Sequence, residues 1–544
     1  MLSPFVELRV LRGCGVYYDR RRFKAHMQPV EVNQSAGHPS IRTSTEGIHW
    51  LTLLLLLVAG TTARFLYLAG KPFWFDETFS VEVARLDWRN FLHLLWWREA
   101  NMSLYYVLLR IWLHFGQSPF FIRSLSALIA TGTIPAIYWL GSILYNRRVG
   151  LIAAALLAFN GYDIRYAQEA RSYSLFILLA TLSSGFLIAT LKQPTRRNRN
   201  GYVVSSILAT YAHFYALLLI VAQYLAMWLR NRRKSVEQSK SEDSDAAQLR
   251  RSWIAIGIAA VPLLIFVAKT GAGPIKWIKR PGLGDLVRFS AYFTNGKPLI
   301  YLAACLLALL PVRKKVFERG PDWEKWRVQF LFIWLLFPIV LTVLLSFARP
   351  VFLARYMIFC IPALLLLTAA GLGNIRPVWL SAVLTAAILL LSVRFVPFVY
   401  SHDFDDERDG AVAAANLILD QSRPGDAVVF HIAEARIPYE FVRSERSGQN
   451  TASPNFSVTL GPEIVFPHHG RGLDYRDFTG KPTAQLLQDE LPRFSRVWVM
   501  LMNNGSAEKP DPTTVMLAQV LPEMFPKMQR WQLPRVEVRL YSKD

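Results

Sequence analysis

Long apolar runs separated by short polar stretches occupy positions 49 to 398. The first, HWLTLLLLLVAGTTARFLYLAG (49–70), is long enough to cross a bilayer core, which takes roughly 20 helical residues at 1.5 Å each. Further runs at 120–145, 149–161, 173–191, 253–270, 298–312, 328–347, 356–372 and 377–398 predict helices of the same kind. The stretch 202–229 is too long for one upright span and has basic residues at both ends. It reads as two short spans meeting at Ala212-His213-Phe214. The pattern predicts about eleven spans.

One apolar piece does not fit that count. SLYYVLLRIWLHFG (103–116) is short and carries Arg110 and His114. Basic clusters at 20–24, 146–148, 192–199, 230–234 and 313–315 are expected on the cytoplasmic side. An even number of crossings must then separate neighbouring clusters, and a crossing at 103–116 would break that parity. The piece is therefore expected to lie in the outer interface as an amphipathic helix. The N-terminus falls inside and the C-terminus outside.

After position 400 the pattern changes. A helix-like stretch (Asp409 to Gln421) and a Pro-Gly turn at 424–425 precede DAVVF (426–430), RVWVM (496–500) and RVEVRLY (535–541), which read as strands. Three parts follow: a polar leader over 1–45, expected to be cytoplasmic and disordered and without an evident cleavable signal; a membrane domain over 46–399; and a small extracytoplasmic α/β domain over 400–544. The loop 233–251 is poor in apolar residues and is expected to be disordered.

Composition supports a polytopic membrane protein. The hydrophobic fraction is 53% and the formal net charge is +22. The positive residues are scattered between spans rather than gathered on one face, which argues against nucleic-acid binding. Three cysteines (Cys14, Cys305, Cys360) form no disulfide framework.

The chemistry concentrates on the predicted outer side. Trp74-Phe75-Asp76-Glu77 places two carboxylates where the first span leaves the bilayer. Acidic groups near membrane depth are costly without work or a partner. Parity gathers Asn101, Gln168, Glu169, Arg171, Tyr173, His213, Tyr215, Lys276, Lys279, Arg280, Arg355 and Tyr356 on the same side. Cations suit a phosphate, aromatic faces suit a sugar, and a carboxylate suits proton removal from a hydroxyl. Plainer readings stand beside these: Asp76-Glu77 as a helix N-terminal pair, Glu169 and Arg171 as a local ion pair, His213 as a helix-end histidine, Arg355-Tyr356 as an interfacial anchor. The cations at 276, 279 and 280 also read as solvated or headgroup contacts. Asp403-Phe404-Asp405 has a D-x-D spacing but sits in an acidic linker, and His468-His469 lacks a third ligand at useful spacing. Neither a Walker A nor a dinucleotide glycine pattern occurs.

Six stretches resemble bacterial family 39 glycosyltransferases of the GT-C superfamily, a group that includes protein O-mannosyltransferases and the aminoarabinose transferase of lipid A. They are FWFDETFSVEVAR (73–85), NMSLYYVLLRIWLHFG (101–116), FIRSLSALIATGTIPAIYWLGSILYNRRVGLIAA (121–154), IRYAQEARSYSLFILL (164–179), YAHFYALLLIVAQ (211–223) and FLARYMIFCIPALLLL (352–367). The resemblance implies a polyprenyl-phosphate sugar donor and an acceptor that is a glycan, lipid or protein. It implies inverting transfer on the outer face of the inner (plasma) membrane, with no metal required. It makes Asp76 the catalytic base with Glu77 as its acidic partner, and it draws Tyr105 into the substrate-binding set. Many relatives carry Lys-Pro or Pro-Pro where this chain has Asn101-Met102. The donor phosphate is then left to Arg171, Arg355 or the cations Lys276, Lys279 and Arg280. A transporter or flippase of lipid-linked glycans and a non-catalytic assembly subunit are the alternatives.

Overall fold

The computed structural model describes residues 42–232, 243–271, 278–310, 323–401, 410–447, 461–467, 480–502 and 511–544. Within these, helices stand at every predicted span: Arg42–Phe65, Pro119–Leu144, Arg147–Ala158, Tyr173–Lys192, Arg196–Ala212, Ala216–Asn231, Asp243–Thr270, Pro298–Leu307, Trp323–Ala348, Ala354–Gly373 and Val378–Tyr400. Seven are long and apolar enough to cross a membrane by length and composition. The protein is a polytopic α-helical membrane protein with a small C-terminal α/β domain.

Contacts sort the helix ends into two sets. At one end Arg64 donates to the carbonyls of Leu157 and Ala158 and pairs with Asp163. There Asn160 donates to the Phe293 carbonyl, Tyr215 to that of Val351 and Lys71 to that of Val399. At the other end the Lys192 ammonium lies 5.4 Å from the Trp323 ring, Arg230 lies 5.4 Å from the Trp326 ring, and Arg327 reaches the Leu144 carbonyl. Basic residues from 192 and 230 thus share one end, as parity requires.

The segment between Phe65 and Pro119 leaves and returns on the end opposite to those basic residues. It folds into helices Phe75–Arg85, Trp88–Trp97 and Ser103–Trp112. Tyr105, Tyr106 and Leu109 are buried on the last of these, and Trp112 stacks on Phe121 at 5.0 Å. Arg110 lies over the Trp88 ring at 4.2 Å and donates to the carbonyls of Ala84 and Leu86, capping the 75–85 helix.

Part of the 233–251 expectation is overturned. Residues 243–251 form the first turns of Asp243–Thr270. Ala247, Gln248 and Leu249 are good helix formers, and Leu249 is buried against the bundle. The remainder of that loop, like the 1–41 part of the leader, lies outside the described residues.

The C-terminal domain is one five-stranded sheet: β1 (Ala427–Phe430), β2 (Glu463–Phe466), β3 (Arg496–Met502), β4 (Lys527–Leu533) and β5 (Val536–Ser542), ordered β2-β1-β3-β5-β4. β1 runs parallel to β2 and β3, while β5 is antiparallel to β3 and β4. β1, β3 and β5 are the three runs legible in the sequence. β2 and β4 were not, because EIVF is only four residues long and KMQRWQL has no clean alternation. Helix Arg436–Ser447 packs on helix Phe75–Arg85, with the rings of Phe73 and Phe441 4.8 Å apart and Arg85 bonded to Ser444 at 2.9 Å and Glu445 at 3.2 Å. The domain is thereby seated on the helix that carries the acidic pair.

Candidate active site

Helix Phe75–Arg85 starts when the amides of Glu77 and Thr78 bond the Trp74 carbonyl. Asp76 and Glu77 occupy its first turn, where negative charge complements the helix dipole. Adjacent helical residues point about 100° apart, so the two carboxylates face different surroundings.

Glu77 faces inward and is 1% exposed. Arg123 grips it in a fork, Nε to Oε1 at 2.8 Å and Nη2 to Oε2 at 2.7 Å. The Ala170 amide adds a third bond to Oε1 at 2.9 Å. Arg123 also donates to the carbonyls of Leu68, Lys71 and Pro72. In this environment both Glu77 oxygens already have protein partners. Both oxygens are occupied and sealed from solvent, so the carboxylate fastens the 68–77 segment to the 168–172 turn.

Asp76 faces outward, with 20% of its side chain exposed. Its Oδ2 lies 3.4 Å from Arg355 Nη2 and 3.9 Å from Arg171 Nη2. Arg171 Nη1 donates to the Asp76 carbonyl at 3.2 Å, to Ser80 Oγ at 3.1 Å and to Tyr106 Oη at 3.4 Å. Arg355 stands 5.4 Å from the Trp74 ring. The predicted trio of Asp76, Arg171 and Arg355 is therefore brought together.

Other predicted residues act as supports. Tyr105 bonds Ser126 Oγ at 2.8 Å, and Ser126 donates to the Arg171 carbonyl at 3.3 Å. Tyr215 donates to the Val351 carbonyl at 2.5 Å and so anchors the turn leading to Arg355. Gln168 donates to the carbonyls of Arg64 and Leu66. Glu169 faces Arg165 at 3.6 Å. Tyr173, Tyr356 and His213 form an aromatic group, with His213 and Tyr356 ring centres 4.9 Å apart and His213 and Tyr173 6.2 Å apart. Asn101 lies in the turn Ala100–Met102, its Oδ1 buried without a hydrogen-bond partner among the described residues. Lys279 and Arg280 are exposed, and Lys276 lies outside the described residues.

Sequence reasoning missed several neighbours. Glu99 accepts from Tyr106 at 2.9 Å. Burial pushes its carboxyl up to about 7; Arg171 opposes that rise and Asp76 adds to it. Glu434, from the C-terminal domain, is pushed up to about 7 by burial and by the Asp76 charge. The sheet domain thus brings a carboxyl within the electrostatic reach of Asp76. Arg123 did carry a signal: an arginine inside the apolar start of a span needs a partner. Among the described residues no three His, Cys, Asp or Glu side chains gather as metal ligands. Asp403, Asp405, His468 and His469 lie outside the described residues.

No protein-family profile and no curated protein sequence matches the chain. Solved structures do. ArnT from Cupriavidus metallidurans in the apo state aligns over 92% of this chain and 99% of its own, at 12% identity and a TM-score of 0.57. The same protein bound to undecaprenyl phosphate gives 12% identity and a TM-score of 0.53, covering 92% and 98%. The Archaeoglobus fulgidus oligosaccharyltransferase, in complex with Zn and sulfate, gives 9% identity and a TM-score of 0.51, covering 82% of this chain and 67% of its own. The likeness is one of fold: the chain shares the fold of ArnT and of this oligosaccharyltransferase.

Proposed function

We propose that the protein is an inverting glycosyltransferase that moves a sugar from a polyprenyl-phosphate donor to an acceptor hydroxyl on the extracytoplasmic face of the membrane. The observation that carries this reading is the partly exposed Asp76 carboxylate set against two guanidinium groups from remote segments, Arg171 and Arg355. The orientation rests on the basic residues at the opposite helix ends. The fold shared with ArnT, which has been captured with undecaprenyl phosphate, supports a lipid-phosphate donor.

The acceptor oxygen attacks the anomeric carbon while its proton passes to Asp76. The bond from that carbon to the phosphate oxygen breaks, and its electron pair leaves with the polyprenyl phosphate. A diester with one negative charge becomes a monoester with two. As Asp76 takes up the proton its charge vanishes, so Arg171 and Arg355 are released to the phosphate just as its charge grows. One displacement inverts the anomeric centre. Arg171 and Arg355 take the lipid-phosphate role, while Lys279 and Arg280 serve at most as headgroup contacts. Glu434 suits the acceptor side, since it comes from the domain seated over the site.

The test is Asp76→Asn. Loss of the base is expected to lower transfer about 10²- to 10⁴-fold, while the variant still inserts and elutes as a folded species. Donor hydrolysis or transfer at the wild-type rate would overturn the assignment. A flippase or an assembly subunit would tolerate that substitution without losing its function.

A further inference from the structure

His213 sits at the C-terminal end of helix Arg196–Ala212, on the same end of the bundle as Asp76, and is 1% exposed. Its ring lies flat on Phe176, with centres 5.0 Å apart and an interplanar angle of 5°. Tyr356 at 4.9 Å and Tyr215 at 5.4 Å close two further sides. These contacts fix the plane of the ring.

Its protonation is equally constrained. Nδ1 accepts the Tyr215 amide N–H at 3.3 Å, so in the neutral ring the proton resides on Nε2. Burial, with Arg171 and then Arg355 adding to it, holds the imidazole neutral by pushing it down to about 3. Nε2–H is buried and has no acceptor among the described residues. The Tyr173 hydroxyl, whose ring is 6.2 Å away, is likewise buried without a partner among the described residues. Leaving a buried donor unpaired is destabilising. Two such groups beside the same pair of guanidinium ions mark the place of a ligand oxygen. The neighbouring positive charges favour an anionic oxygen over a sugar hydroxyl.

We propose that the Nε2–H of His213 is a fixed, neutral hydrogen-bond donor to a non-bridging phosphate oxygen of the lipid-linked donor, held jointly with Arg171 and Arg355. This rests on the polyprenyl-phosphate reading above. The neutral ring adds a directed bond without placing a third positive charge beside two arginines. Because the bond strengthens as the phosphate gains charge, it serves the leaving group more than the bound donor.

The experiment measures binding of undecaprenyl phosphate to the purified full chain by titration calorimetry. His213→Phe keeps the stacked ring and removes the donor. His213→Gln places an amide N–H close to the Nε2 position. The expected result is that His213→Phe weakens binding about 10- to 100-fold, while His213→Gln stays within about threefold of wild type. If the wild-type protein does not bind undecaprenyl phosphate, the lipid-phosphate reading itself fails. If it binds and His213→Phe binds equally well, this inference fails alone. Unchanged binding with lost transfer also overturns it, since the bond would then go to the sugar or the acceptor. Should His213→Phe not fold, the wild-type protein with ¹⁵N-labelled histidine decides the matter. Added undecaprenyl phosphate should move one Nε2–H proton downfield, and no movement would refute the bond.

Discussion

Replacing Glu77 by glutamine separates the two members of the acidic pair. The side chain keeps its shape and loses its charge. One of its two oxygens, each now 2.7 or 2.8 Å from an Arg123 nitrogen, becomes an NH₂ group. A donor would then face a donor at that distance, and the buried guanidinium would lose its counter-charge. Removing one partner of a buried pair costs about 3–5 kcal/mol. Arg123 retains three backbone carbonyl acceptors, which favours the lower end, about 3 kcal/mol. The assay is thermal unfolding of purified protein in detergent, followed by tryptophan fluorescence alongside transfer activity per folded molecule. Glu77→Gln should unfold several degrees below wild type, whereas Asp76→Asn should unfold near it with transfer lost. A paired Glu77→Leu/Arg123→Met change should recover part of the stability, because no uncompensated charge remains. The reasoning is refuted if Glu77→Gln melts with wild type and yet transfers nothing. Glu77 would then belong to the chemistry rather than to the clamp.

Two further outcomes follow from the packing. Burial raises the Glu82 carboxyl from 4.5 to about 7, against the opposing pull of Arg85. Its contribution to stability is full below about pH 4.5 and is lost as pH rises through about 7; at about 1.4 kcal/mol per tenfold change in proton affinity the loss is about 3 kcal/mol. Glu82→Gln, neutral throughout, should therefore gain on wild type as pH climbs across that window, and parallel unfolding curves from pH 4.5 to 8 would contradict the burial argument. Gly371 lets helix Ala354–Gly373 approach helix Pro298–Leu307 so closely that an added Cβ would overlap the carbonyl oxygen of Ala304. Gly371→Ala should cost about 1–3 kcal/mol through overpacking, read as a lower unfolding temperature, and an unchanged melt would mean that the helices do not touch there.

Much of the fold was legible because membrane insertion is a local, one-dimensional constraint. A run such as 356–372 must be helical and apolar wherever its neighbours lie. The basic clusters at 20–24 and 146–148, which flank 103–116, carried enough topological information to argue against a crossing there. Strand β2 escaped because EIVF is only four residues long, and β4 because an edge strand satisfies few burial demands, so KMQRWQL bears little imprint of the sheet. The start of helix Asp243–Thr270 escaped because low apolar content resembles a loop when only its polar face is considered.

The site divides in the same way. The chain by itself fixed which residue types would meet at one membrane face, since span length and charge placement decide which loops share a side. Only the tertiary structure decided which of them touch. It turned Glu77 toward Arg123 and Asp76 toward Arg171 and Arg355, gave Glu169 to Arg165, and brought Glu99 and Glu434 into the neighbourhood of Asp76. Hydropathy acts residue by residue against a surrounding solvent and leaves a mark in the sequence. An ion pair or a withdrawn imidazole depends on distances of 3 to 4 Å between segments far apart in the chain, and that geometry exists only once the helices have packed.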